Sequence, residues 1–152
     1  MEPEALQKQI INSMAENCIS ARLRLMNRIV AGIFDEALRP HEIKVSQLTI
    51  LVIVAGTDNP TSKELCGILN MDTSTFSRAL TRMKKNRWLD TEPSGDGKIL
   101  NIKITSAGLK KLEAAWPDWQ KAQEKATEVL GDATAQVIIS SGTEQFLSRM
   151  KS

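Results

Sequence analysis

Between Met71 and Thr105 the chain sets a short amphipathic helix directly ahead of a small hairpin, and that junction constrains the fold more than any other stretch. On ideal helical geometry Phe76, Ala79, Leu80 and Met83 fall on one side, while Ser74, Arg78, Thr81 and Lys85 cluster roughly 180° away. One face packs; the other is free to read something. From Arg78 to Arg87 there are five basic residues (Arg78, Arg82, Lys84, Lys85, Arg87) and no acid. This is the electrostatic footprint of a phosphate-binding surface, so a double-stranded nucleic acid is the expected partner.

The flanking sequence supplies the frame. Apolar residues recur in steps of three or four at Leu6, Ile10, Met14, Cys18, Ala21, Leu25 and Ile29, which predicts one helix over about 4–38. A second stripe, Ile19, Leu23, Met26, Val30 and Phe34, shares it, so the helix has two packing partners. Arg39-Pro40 ends it, because proline disfavours the α conformation in the residue before it. Ser46 is the expected N-cap of an apolar helix over 47–55, stopped by Gly56-Thr57-Asp58-Asn59-Pro60. Thr61 or Ser62 caps a third helix over 63–69, and Asp72 or Thr73 caps the amphipathic one. Helix, short turn, helix is the geometry that places a second helix in a major groove. Residues 88–92 and 99–104 then alternate around a Gly-rich tip, Pro93 to Lys98, and predict a β-hairpin. Thr105 caps a long helix with Leu109, Leu112, Trp116, Trp119, Ala126 and Leu130 at near-heptad spacing and Pro117 as a kink. Gly131 closes it, and Asp132 starts a last helix carrying Val137, Ile138, Phe146, Leu147 and Met150.

Charge is segregated along the chain. The formal net charge is +2, yet residues 61–111 hold ten basic and five acidic residues. With 41% hydrophobic and 25% charged residues over 152 positions, one globular domain is expected. Met1 to Gln7 has no apolar core and the longest apolar run, Leu48 to Gly56, is far below a membrane span. The cytoplasm is therefore the expected compartment, no membrane partner is expected, and Cys18 and Cys66 are read as free thiols.

The order of elements resembles the MarR family of winged helix-turn-helix transcription factors. The resemblance is carried by Leu38-Arg39-Pro40 with Ser46-Gln47-Leu48-Thr49-Ile50-Leu51, by Ser74-Thr75-Phe76-Ser77-Arg78-Ala79-Leu80, and by Asp96-Gly97-Lys98 leading to Ile102-Lys103-Ile104-Thr105-Ser106-Ala107-Gly108. It implies a mainly α fold with a small β-hairpin wing, a DNA-binding lobe over about 46–105, and a helical dimerisation region from about 4–38 and 106–151. Two departures stand out. Lys98 occupies the wing position where the family usually has an arginine that enters the minor groove, and a lysine lacks the planar fork. Arg87 stands where the family's glycine closes the recognition helix, so Asn86 is expected to take the left-handed turn instead.

On this reading Thr73, Ser74, Thr75 and Arg78 lie nearest base edges, with Ser77 on the same face. Lys63, Arg82 and Lys85 lie nearer phosphates, and Asp96 orients Lys98. A bare solvated polar surface is the competing reading of that face. Cys18 reads either as a packed small hydrophobe or, by the resemblance, as a thiol switch with Arg22 as the nearby cation. Peroxide-sensing relatives set tyrosines around such a thiol; this chain has none, and Phe34 and Val45 stand in their places. His41 has no second histidine or acidic cluster at ligand spacing, so neither a metal site nor a catalytic triad is expected, and no cofactor. Trp116 and Trp119 face either a cavity for a small aromatic or amphipathic effector, with Cys18, Arg22, Phe34 and His41 as the other candidate effector residues, or a packed interface. The function that follows is a homodimeric, sequence-specific regulator, read as a repressor released by an effector or by thiol modification. The alternative is a winged-helix module that binds protein, and an enzyme is not expected.

Overall fold

The computed structural model describes residues 3–95, 97 and 99–150, with the wing-tip pair Asp96 and Lys98 lying outside them. In chain order the elements are α1 (Pro3–Asn17), α2 (Ile19–Leu38), a 3-10 turn (Arg39–His41), α3 (Val45–Gly56), α4 (Ser62–Leu69), α5 (Thr73–Lys85), β1 (Leu89–Pro93), β2 (Leu100–Ile104), α6 (Ser106–Leu130) and α7 (Asp132–Met150). The expected single N-terminal helix is two helices. Cys18 leaves helical geometry, at φ −74° and ψ 103°, and its Sγ accepts the Ala21 N–H at 3.4 Å as the N-cap of α2. Apolar spacing is preserved across such a break, which is why periodicity alone reads through it. The α3 helix also starts earlier than its Ser46 signal, with Lys44 as N-cap. Gln47 Oε1 accepts the Lys44 N–H at 3.0 Å, and Asp35 Oδ1 from α2 accepts the Val45 N–H at 2.8 Å.

The core lies under the helix-turn-helix. Phe34 and Leu38 of α2, Leu48, Leu51 and Ile53 of α3, Leu65 of α4, Phe76 and Met83 of α5, and Leu89 and Ile102 of the hairpin are all buried. Thr61 and Glu64 form a reciprocal capping box at the start of α4. Asn70 adopts the left-handed conformation at φ 51°, and the Met71 N–H reaches back to Cys66 O at 3.0 Å. The chain thereby reverses in a few residues and presents Asp72 as the N-cap of α5.

At the far end of α5 it is Arg87, not Asn86, that turns left-handed, with φ 60° against −78° for Asn86. The Arg87 N–H bonds Lys84 O at 2.9 Å and the Trp88 N–H bonds Met83 O at 3.0 Å, a Schellman pair that needs positive φ one residue beyond the cap. Position, rather than residue preference, decides which side chain bears the strain. The antiparallel wing pairs Leu89 with Ile104 and Thr91 with Ile102, and Glu92 forms an ion pair with Lys103. The Ile102 N–H donates to Pro60 O at 2.8 Å and so ties the wing to the turn before α4.

The long helix α6 continues past Pro117. Its buried positions are Gly108, Ala115, Ala122 and Ala126, a seam of small residues that lets α2 pack closely, whereas Leu109 and Trp116 are exposed. The outer apolar stripes stay largely uncovered: Ile11, Met14, Ile19 and Leu23 near the N-terminus, and Val137, Ile138 and Ile139 on α7, are exposed.

Candidate nucleic-acid interface

The outer face of α5 is built on the carboxylate of Asp72. Its Oδ1 accepts the Thr75 N–H at 2.8 Å and the Ser74 hydroxyl at 2.6 Å, and its Oδ2 accepts the Thr75 hydroxyl at 2.6 Å. The Ser74 hydroxyl, then the Thr75 hydroxyl and the Thr75 N–H, hold the Asp72 carboxyl far below the usual carboxylate range. The side chain is therefore ionised at the positive end of the helix. Sequence reasoning saw only a cap here. Both hydroxyl protons point at Asp72, so Ser74 and Thr75 offer lone pairs outward, which suit base amino donors rather than base acceptors. Arg78 Nη2 lies 3.4 Å from Thr75 Oγ1, at the outer edge of hydrogen-bond reach, so its fork is loosely oriented by the same cluster.

Thr73, Ser74, Ser77, Arg78, Thr81, Arg82 and Lys85 are exposed along this helix, and Lys63 is exposed in the first turn of α4. Arg82 is displaced toward the flank. It lines a charged cleft of about 600 Å³ that also holds Asp35, Glu36, Arg39, Glu42 and Lys44, between α5 and the end of α2. Lys84 points the other way and donates to the Thr91 hydroxyl of the wing at 2.7 Å. Cys66 is half-buried against the core, and burial, then the charge of Asp72, pushes its thiol up. That favours the packed reading.

The six residues considered for an effector do not form one site. Trp116 and Trp119 stack at 5.2 Å between centroids with planes 11° apart, and Phe34 meets Trp119 at 6.1 Å. The two tryptophans line a cavity of about 520 Å³ with Leu48, Thr49, Val52, Ile53, Leu112 and Ala115. His41 stands beside this cluster. Its Nε2 is 2.9 Å from Asp118 Oδ2, and its carbonyl accepts from Lys111 Nζ at 2.8 Å, while that ammonium sits 5.2 Å from the centre of the Trp88 ring. Lys121, then His41, lowers the Asp118 carboxyl below its ordinary range. Cys18 and Arg22 belong elsewhere: sixteen helical steps of about 1.5 Å separate Cys18 from Phe34, roughly 24 Å along α2. Phe34 therefore cannot flank the Cys18 thiol within one chain. Among the described residues no group of three or more His, Cys, Asp or Glu side chains could hold a metal, and no helix is long and apolar enough to cross a membrane.

Residues 41–98, from the loop before α3 to the wing tip, match the MarR family. The stretch that matches holds the helix-turn-helix and runs into the wing, and the terminal helices lie outside it. A relative from Bacillus subtilis strain 168, the uncharacterized HTH-type transcriptional regulator YwoH, is 27% identical over 86 residues, 57% of this chain and 63% of that protein. The match thus spans less than two thirds of the relative's length. Among solved structures, a cysteine-to-serine variant of MarR from E. coli complexed with operator DNA superposes with a TM-score of 0.76 at 18% identity, covering 87% of this chain and 96% of that one. The M. tuberculosis regulator MosR in complex with DNA gives 0.72 at 23%, covering 88% and 99%. A probable transcriptional regulator from Pseudomonas aeruginosa gives 0.75 at 20%, covering 86% and 98%. At these identities the likeness is one of fold, and it is the fold expected from the sequence: mainly α with a hairpin wing. Against the MarR pattern that the sequence resembles, Arg87 at the end of α5 is a departure, and it is the residue that turns left-handed.

Proposed function

We propose that the protein is a cytoplasmic, sequence-specific DNA-binding repressor that acts as a homodimer on a pseudo-palindromic operator and is released by a small effector. The observation that carries this reading is the exposed face of α5, where hydroxyls and cations share the helix with no acid but its sequestered N-cap Asp72, and only Arg82 borders the acidic side chains of the neighbouring cleft. Thr73, Ser74, Thr75, Ser77 and Arg78 approach base edges, Lys63, Arg82 and Lys85 neutralise phosphates, and Lys98, oriented by Asp96, anchors the wing. The uncovered apolar stripes of α1, α2 and α7 support a dimerisation region made of the terminal helices, since patches of this kind mark interfaces. Sedimentation at micromolar concentration should show a dimer; a monomer would sink that part of the reading.

Binding to operator and to random duplex across a salt series tests the core of it. Arg78→Ala should cost about 1–3 kcal/mol on the operator and little on random DNA, whereas Lys98→Ala should weaken both and flatten the salt slope by about one. Equal losses for Arg78→Ala on both duplexes would remove its base-reading role. A complex indifferent to salt would instead identify a protein-binding winged helix. For the effector, the cavity beside Trp116 and Trp119 is the supported location, because it joins α3 of the DNA-binding lobe to α6 of the dimerisation region.

A further inference from the structure

A serine or threonine hydroxyl ordinarily turns its proton to suit whatever it meets, donating to an acceptor or accepting from a donor. At the start of α5 that choice is removed. An ionised carboxylate accepts hydrogen bonds and donates none, so at 2.6 Å from Asp72 both Ser74 and Thr75 are the donors. Each hydroxyl has one proton, and each spends it on Asp72. What Ser74 shows to a partner is therefore lone pairs alone. Thr75 is in the same state, and one of its lone pairs already faces Arg78 Nη2 at 3.4 Å. Ser74 is exposed and Thr75 is half-buried, so Ser74 is the more forward of the two on the face that meets DNA.

We infer that Asp72 makes Ser74 a one-way reader of the major groove, which accepts from the amino group of adenine or cytosine and rejects guanine or thymine at the same place. Adenine N6 and cytosine N4 are donors there, whereas guanine O6 and thymine O4 are acceptors that would meet the serine lone pairs with no proton between them. Every base pair carries one amino group in the major groove, so what is read is the strand that bears it. A·T and C·G become equivalent, while T·A and G·C are refused. Asp72 touches no base; it is a positioning residue that acts through the Ser74 proton. The inference rests on the DNA reading proposed above and adds the class of base edge that it selects.

The test selects preferred duplexes for the full-length protein from a randomised pool, then measures by competition all four base pairs at each position of the half-site. One position should take A·T and C·G about equally and bind T·A and G·C about tenfold more weakly, and Ser74→Ala should level the four. Replacing the adenine there by unsubstituted purine, which lacks the N6 amino group, should cost the wild type about fivefold. Asp72→Gly keeps a tolerated N-cap and removes the carboxylate, so circular dichroism should show a folded protein while the four pairs bind within about twofold of one another. Wild-type base preference retained in Asp72→Gly would overturn the inference and leave the DNA reading standing. So would an operator in which Ser74→Ala levels no position, or one whose Ser74 position separates purines from pyrimidines. A pool that yields no preferred sequence would overturn the sequence-specific reading itself, and the inference with it.

Discussion

Replacing Gly108 by alanine should destabilise the protein although it improves helix propensity, because the second turn of contacts around Gly108 is backbone. An alanine Cβ there would lie 2.3 Å from the Trp88 carbonyl oxygen, 2.8 Å from Ile104 Cγ1 and 3.2 Å from the Trp88 carbonyl carbon. Relieving the first contact requires a shift of nearly 1 Å between the start of α6 and the base of the wing. The Trp88 oxygen also accepts the Thr105 N–H at 3.0 Å and the Thr105 hydroxyl at 3.2 Å, so the shift strains both bonds. Overpacking of this kind costs about 1–3 kcal/mol, and each weakened hydrogen bond up to about 1 kcal/mol. The gain from alanine over glycine in a helix offsets about 1 kcal/mol. A net loss of about 2 kcal/mol at the middle of these ranges, and of about 4 at most, follows. Guanidinium unfolding followed by circular dichroism, at one fixed protein concentration, measures it. Gly67→Ala in α4 is the control, since a Cβ there meets nothing within 4 Å and should stabilise by up to about 1 kcal/mol. A Gly108→Ala protein as stable as the wild type, alongside a stabilised Gly67→Ala, would refute the close packing of the wing base on α6.

Three further outcomes are expected. Arg87→Gly should stabilise by about 1 kcal/mol, because glycine occupies φ 60° without the Cβ penalty; a loss of stability would mean that the Arg87 side chain contributes more than its strained backbone costs. The depressed pKa of Asp72 means that its contribution is present above the unfolded value near 3.9 and is lost as pH falls through the folded one, so DNA binding and helicity should not change through Asp72 between about pH 5 and 8. Asp72→Asn should accordingly weaken operator binding across that window without adding a titration step, and a new step near neutrality would contradict the assignment. Cys18→Ser should leave folding intact, because serine is itself a favourable N-cap, whereas Cys18→Ala should lose about 1 kcal/mol; if the serine variant binds operator but resists peroxide that releases the wild type, the thiol is the switch and the cavity is not.

Local chemistry determined most of the helix-turn-helix. Thr61 with Glu64, Asn70, Asp72 and Thr105 are caps and turns whose hydrogen bonds close within a few residues, and the two faces of α5 follow from a period of 3.6. For that reason the order of elements from α3 to α7, the wing and the exposed basic face of α5 were legible in the chain alone. What depends on distant partners was not. The break at Cys18 preserves apolar spacing and so leaves no mark in it, and the left-handed residue after α5 is set by where the Schellman bonds close, not by the turn preference of Asn86. The buried seam of α6 runs through Gly108, Ala115 and Ala122 because α2 and the wing base approach too closely for large side chains, which leaves Trp116 outside on the wall of a cavity. Only the packed fold could separate Cys18 from the aromatic cluster, since a helix converts sequence distance into a fixed length. Only packing, likewise, could turn His41 from a lone loop residue into the partner of Asp118, as the two lie 77 positions apart in the chain and 2.9 Å apart in space.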